Sequence, residues 1–73
     1  MRDRPEPAES DVTARELEVL QLIAQALSNR SIAVTLDISE GTVKRHTNNV
    51  YRKLQVGSRV HAVNEGRRRG LLA

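Results

Sequence analysis

Seventy-three residues with a formal net charge of +3 allow one small domain. The absence of cysteine excludes disulfides and thiolate metal sites, and His46 and His61 have no carboxylate spacing around them that would complete a zinc set. No apolar run approaches the ~20 residues of a membrane span and Met1-Arg2-Asp3-Arg4 leads into no hydrophobic signal region, so a soluble, cytoplasmic protein is expected.

Residues 1–11 contain Pro5, Pro7 and four acids, with almost nothing to bury. They read as a flexible linker or disordered tail, leaving 12–73 as the folded domain. A first helix is expected to start at Thr13, whose hydroxyl caps the first turn, with Glu16 three residues on completing a capping box. Leu17, Leu20, Ile23, Ala24 and Leu27 form its apolar stripe, with Val19 at the edge. Leu22 falls outside that stripe, which predicts cover from two sides, and Glu18, Gln21 and Gln25 mark the wet face.

Ser28-Asn29 stops this helix and caps a short second one carrying Ile32, Ala33 and Leu36. Asp37-Ile38-Ser39 is a turn, and Ser39 caps a third helix over 40–54, with Glu40 suiting its positive end. Gln55-Val56-Gly57 connects to a fourth helix, capped by Ser58 and running to about Arg69. Gly70 is placed as a left-handed stop, with Leu71 folding back onto the body. The fold class is therefore all-α: a four-helix helix-turn-helix domain behind a disordered N-terminal tail.

The third helix has two opposed faces. At ~100° per residue, Val43, Val50 and Leu54 cluster within ~40°, while Lys44, Arg45, Asn48 and Arg52 occupy a ~100° sector nearly opposite. Charge is segregated too: residues 41–73 hold eight basic residues against Glu65 alone. An apolar face for packing and a cationic, amide-bearing face for solvent fit a helix that meets an anionic polymer. With Tyr51 the sole aromatic and nineteen Val, Leu and Ile residues, the chain lacks the ring platforms of single-strand binders. No nucleophile–base pair, metal cluster or phosphate-cradling glycine loop is present, so neither enzymatic activity nor a cofactor is expected.

The run Thr13-Ala14-Arg15-Glu16-Leu17-Glu18-Val19-Leu20, then Ile23-Ala24, Ser28-Asn29, Ile32-Ala33 and Leu36, resembles the LuxR-type (GerE-type) helix-turn-helix domain. So do Ile38-Ser39-Glu40, Thr42-Val43-Lys44, His46, Asn49-Val50, Lys53-Leu54, Val56 and Ser58-Arg59, and the match spans about 12–72. The resemblance implies a bacterial transcription regulator whose third helix enters the major groove of double-stranded DNA. It also implies a homodimer, held largely by the fourth helix, on an inverted-repeat site. In that family the domain usually follows a sensory or receiver domain. Some positions depart from the family pattern: Ala26 for glycine, which would lengthen the first helix, Ser31 for glutamate, Gly41 in the third helix, and Gly66 and Arg69 in the fourth.

Lys44, Arg45 and Asn48 are the candidate base-reading residues, because Lys and Arg donate to guanine O6 and N7 and Asn pairs with the adenine edge. Phosphate contact is the alternative for the two cations, and plain solvent exposure for Asn48. Arg30, Ser39, Thr42, Asn49, Arg52 and Lys53 are candidate phosphate contacts. Gly41, on the side of Lys44 and Asn48, either admits close approach to DNA or is a tolerated glycine. His46 and Tyr51 are expected to pack at the edges of the apolar face, and Arg59 to pair with an acid of the first helix such as Glu16. Arg67-Arg68-Arg69 reads as a solvated helix end. Val60, Val63, Asn64 and Arg67 are the candidate dimer surface. The competing functional class is a protein-interaction module that holds RNA polymerase or a partner regulator.

Overall fold

The computed structural model describes residues 12–73, so the expectation for 1–11 lies outside the described residues. These residues form four helices and no strand: α1 (Ala14–Ala24), α2 (Asn29–Leu36), α3 (Glu40–Leu54) and α4 (Arg59–Arg68). The expected bounds of α3 are met, and the turn between α2 and α3 is residues 37–39. None of these helices is long and apolar enough to cross a membrane.

Each helix starts on a hydroxyl. Thr13 Oγ1 accepts from the Glu16 amide at 3.1 Å, and Glu16 Oε1 accepts from the Thr13 amide at 3.1 Å, closing the expected capping box. Ser28, Ser39 and Ser58 accept from the amides of Ser31, Thr42 and His61 at 3.1, 3.0 and 3.3 Å. Ser31, lacking a carboxylate to reach back with, accepts from the Ser28 hydroxyl instead, at 3.1 Å.

The four ends also share one pattern, in which a left-handed residue donates backward and the next amide reaches the last turn. Ala26 and Leu27 donate to Ile23 and Leu22, and Asp37 and Ile38 to Val34 and Ala33. Gln55 and Val56 donate to Arg52 and Tyr51, and Gly70 and Leu71 to Arg67 and Gly66. The φ angles are 68° at Ala26, 58° at Asp37, 59° at Gln55 and 79° at Gly70. Gly70 thus stops α4 as expected. Ala26 corrects an expectation: it does not lengthen α1 but takes the glycine conformation, at a cost of about 1–2 kcal/mol for a residue with a Cβ. The closing bonds and the Leu27 contact with the core over-determine the turn.

Helices α1 and α3 are central, and α2 and α4 flank them without packing on one another. Two buried clusters follow. Val19, Ile23, Ile32, Ala33 and Val43 fill the space between α1, α2 and α3. Leu20, Val50, Leu54 and Ala62 fill the space between α1, α3 and α4, with Val12, Tyr51, Leu71 and Leu72 packed around them. The expected two-sided cover of α1 is real, but Val19, placed at the edge in the sequence reading, is fully buried. Adjacent Val19 and Leu20 point ~100° apart, one into each cluster. Gly66 is buried at a close approach: a Cβ there would lie 3.0 Å from Leu72 Cδ1 and 3.1 Å from Leu20 Cδ2, so these side chains would have to give by a few tenths of an ångström to admit one.

Candidate nucleic-acid interface

Val43, Thr47, Val50 and Leu54 hold α3 to the body, all buried at spacings of four, three and four residues. Lys44, Arg45 and Asn48 are exposed on the other side, as the helical periodicity predicts. Among the described residues, Lys44, Arg45, Arg30 and Arg67 make no ion pair and no side-chain hydrogen bond. The remaining cations are engaged within the fold.

Lys53 is the clearest departure. Expected on the phosphate face, it turns inward, and its Nζ meets Glu16 Oε1 at 2.7 Å. Its Cα direction explains this, since Lys53 lies ~80° from Val43 around the helix and closer to the apolar stripe than to the reading sector. Burial pushes the Glu16 carboxyl up, but Lys53 and the Thr13 amide outweigh it, leaving the group below its ordinary value. The expected Arg59–Glu16 pair does not form. Lys53 occupies that carboxylate, and Arg59 instead donates through Nη2 to the Leu27 carbonyl. That bond satisfies a carbonyl beyond the end of α1 and ties α4 to it.

The candidate phosphate groups are divided between α3, its cap and the first turn of α2. Ser39 is exposed and Thr42 half-buried; Ser39 Oγ donates to Thr42 Oγ1 at 2.9 Å, leaving the Thr42 hydroxyl proton available to an anion. Arg52, exposed, donates through Nη2 to Asn49 Oδ1 at 3.3 Å, and Arg30 is exposed in the first turn of α2. Gly41 is exposed, and a Cβ there would meet only Ser39 Oγ at 3.8 Å, so no internal contact requires glycine. His46 is half-buried, and Tyr51 packs at the core rim, where burial pushes its phenol up against a smaller opposing pull from Arg59.

At the end of α4, Glu65 gathers Arg68 and Arg69. Arg68 and then Arg69 hold its carboxyl down to about 2. Arg69 further donates to the Leu54 carbonyl at 3.4 Å, so this arginine is a tie between α3 and α4 rather than a solvated end. Val60, Val63, Asn64 and Arg67 line one groove of about 370 Å³ together with Ile23, Ala24, Ala26 and Arg59, and Val60 is 68% exposed. The sequence reading missed Thr47 and Asn29, which line a cavity with Lys44 and Asn48. A threonine four residues from Val43 on an otherwise apolar stripe was the available signal.

The arrangement offers unpaired donors on a rigid helix and no group of three or more His, Asp or Glu that could hold a metal among the described residues. Comparison with known proteins gives the family. The family described as "Bacterial regulatory proteins, luxR family" matches residues 10–65. The nitrate/nitrite response regulator NarP of Escherichia coli (strain K12) is 58% identical over 53 residues, 73% of this chain and 25% of NarP. The transcriptional regulatory protein DegU of Brevibacillus brevis is 48% identical over 59 residues, covering 81% of this chain and 25% of DegU. The chain thus spans about a quarter of the length of these relatives. Among solved structures, the transcription factor GerE aligns with a TM-score of 0.79 and 41% identity, over 84% of this chain and 91% of GerE. ChrA, a response regulator in a heme-sensing two-component system, aligns at 0.81 and 41% identity, over 96% of this chain and 32% of its own. With its caps, core and turn in the places the motif requires, the chain belongs to the luxR family of bacterial regulatory proteins, as a helix-turn-helix DNA-binding domain.

Proposed function

We propose that the domain binds double-stranded DNA sequence-specifically, with α3 in the major groove and Lys44, Arg45 and Asn48 reading base edges. The observation that carries this is the uncommitted state of those side chains: exposed, outward on adjacent turns, and unpaired on a helix whose other face is locked into the core. Ser39, Thr42, Arg30, Asn49 and Arg52 contact phosphates on either side and set position and affinity. Lys53 is assigned to holding α3 in place. The groove lined by Val60, Val63, Asn64 and Arg67 joins two copies on an inverted repeat. In this reading the domain is the output part of a longer cytoplasmic regulator, as in NarP and DegU, of which it would form a quarter.

Selection of bound duplexes from a random pool tests this reading. A palindrome with half-sites about 10 base pairs apart supports dimeric major-groove binding; a single unrepeated element removes the dimer, and no enrichment removes sequence reading. Val34, 76% exposed on α2, favours the second reading, contact with RNA polymerase or a partner regulator. Duplex affinity unchanged by Lys44→Ala with Arg45→Ala would favour it over base reading.

A further inference from the structure

The cavity of about 250 Å³ beside the outward face of α3 is lined from three helices, by Asn29 of α2, by Lys44, Thr47, Asn48 and Tyr51 of α3, and by Arg59 of α4. Its lining holds two cations, two amides and two hydroxyls, with no carboxylate and no Ala, Val, Leu or Ile. Lys44 and Asn48 are exposed, and Asn29, Tyr51 and Arg59 are half-buried. The Lys44 ammonium and the Tyr51 hydroxyl take part in no hydrogen bond or ion pair among the described residues. Arg59 commits Nη2 to the Leu27 carbonyl, and a guanidinium has five donors in all. It stands near enough to the Tyr51 phenol to oppose the upward push that burial gives that group. Asn29 is the first residue of α2, so the positive end of that helix adds to the same field.

Chemistry selects the occupant. A metal cation would find two positive charges and no carboxylate, and an apolar ligand would strand the donors that line the walls. An anion whose oxygens accept several hydrogen bonds at once fits both the charge and the donors. We propose that the cavity receives one backbone phosphate of bound DNA, held by the Tyr51 hydroxyl and the Arg59 guanidinium, with Lys44 adding charge at its edge. The proposal rests on the reading of α3 as the helix that faces duplex DNA. Lys44 and Asn48 belong to the outward face and also line the cavity, so a duplex laid over them covers it. Tyr51 and Arg59, which the fold uses at the core rim and at the end of α1, thereby gain a contact with the ligand. Every nucleotide carries the same phosphate, so this site sets affinity and register and leaves base preference to other side chains.

Tyr51→Phe in the full chain tests it, because that change removes one oxygen and keeps the ring packed against the core. Affinities are measured for a duplex selected by the wild type, for random duplex, and for selected duplexes carrying a neutral methylphosphonate at one phosphate at a time. Tyr51→Phe is expected to bind selected and random duplex alike about tenfold more weakly than the wild type, with an unchanged denaturant midpoint. The methylphosphonate penalty is expected to shrink by about the same factor at one phosphate position, the other positions keeping theirs. Wild-type affinity in Tyr51→Phe overturns the phosphate site. So does a loss confined to the selected duplex, which would put the hydroxyl on a base edge, or a loss that leaves every methylphosphonate penalty as it was. A wild type that binds no duplex fails the reading of α3 and the proposal together, whereas sequence preference with a silent Tyr51→Phe removes the phosphate site alone.

Discussion

The outer face of α3 and the end of α4 carry similar charge and do opposite things with it. On α3, Lys44 and Arg45 have no internal partner. On α4, Arg68 and Arg69 close on Glu65, and Arg69 continues to the Leu54 carbonyl. Lys53, on the same helix as Lys44 and Arg45, belongs with the second group through Glu16. Net charge in a sequence therefore counts cations without saying which are available. Commitment to an internal partner makes that distinction, and it depends on contacts between elements.

The contrast breaks most sharply at Lys44. Lys44→Ala is expected to cost about 1–3 kcal/mol of base discrimination, read as up to a hundredfold loss of preference for a selected duplex, with the denaturant midpoint unchanged. Lys53→Ala should do the reverse. Removing the partner of the buried Glu16 carboxylate is expected to destabilise the fold by about 2 kcal/mol in chemical denaturation, with the salt dependence of duplex binding by the folded protein unaltered. A uniform fall in affinity for all duplexes in Lys53→Ala, at unchanged stability, would return Lys53 to the phosphate contacts. Ala26→Gly, away from both regions, should stabilise by about 1 kcal/mol, because relief of the left-handed alanine exceeds the added freedom of the unfolded chain.

The smallest effect is a pH dependence. Glu65 stands at about 2 in the folded chain against 4.5 as its ordinary value. The unfolded chain therefore binds its proton first on acidification. The contribution is complete above about 4.5 and is lost as pH falls through about 2. Glu16, also held below its ordinary value, acts in the same direction. Glu65→Gln should flatten the acid limb of a stability–pH curve while leaving duplex binding at neutral pH unchanged. An acid limb identical to the wild type would show that the Arg68 and Arg69 contacts contribute nothing measurable.

What could be read from the sequence was what neighbouring residues decide among themselves. The caps at Thr13, Ser28, Ser39 and Ser58 depend on spacings of three residues, and the apolar stripe of α3 on its own periodicity. The partner of Glu16 lies 37 residues away, so a cation of the right sign was expected there but the wrong one was named. Ala26 and Gln55 look like ordinary helix formers, and only the packing that follows them forces positive φ. Gly66 is likewise explained by Leu20 and Leu72, neither of which is its neighbour in sequence. On the outer face of α3, Lys44, Arg45 and Asn48 stand where periodicity put them, whereas the polar cavity beside them needed α2 and α4 in place.

One oxygen atom has two duties. Glu16 Oε1 accepts the Thr13 amide, where the chain enters α1, and the Lys53 ammonium, in the last turn of α3. Entry point and α3 thus share an anchor. Relaxing the capping box frees the oxygen from one of its two partners, so the start of α1 and the end of α3 are coupled through a single carboxylate.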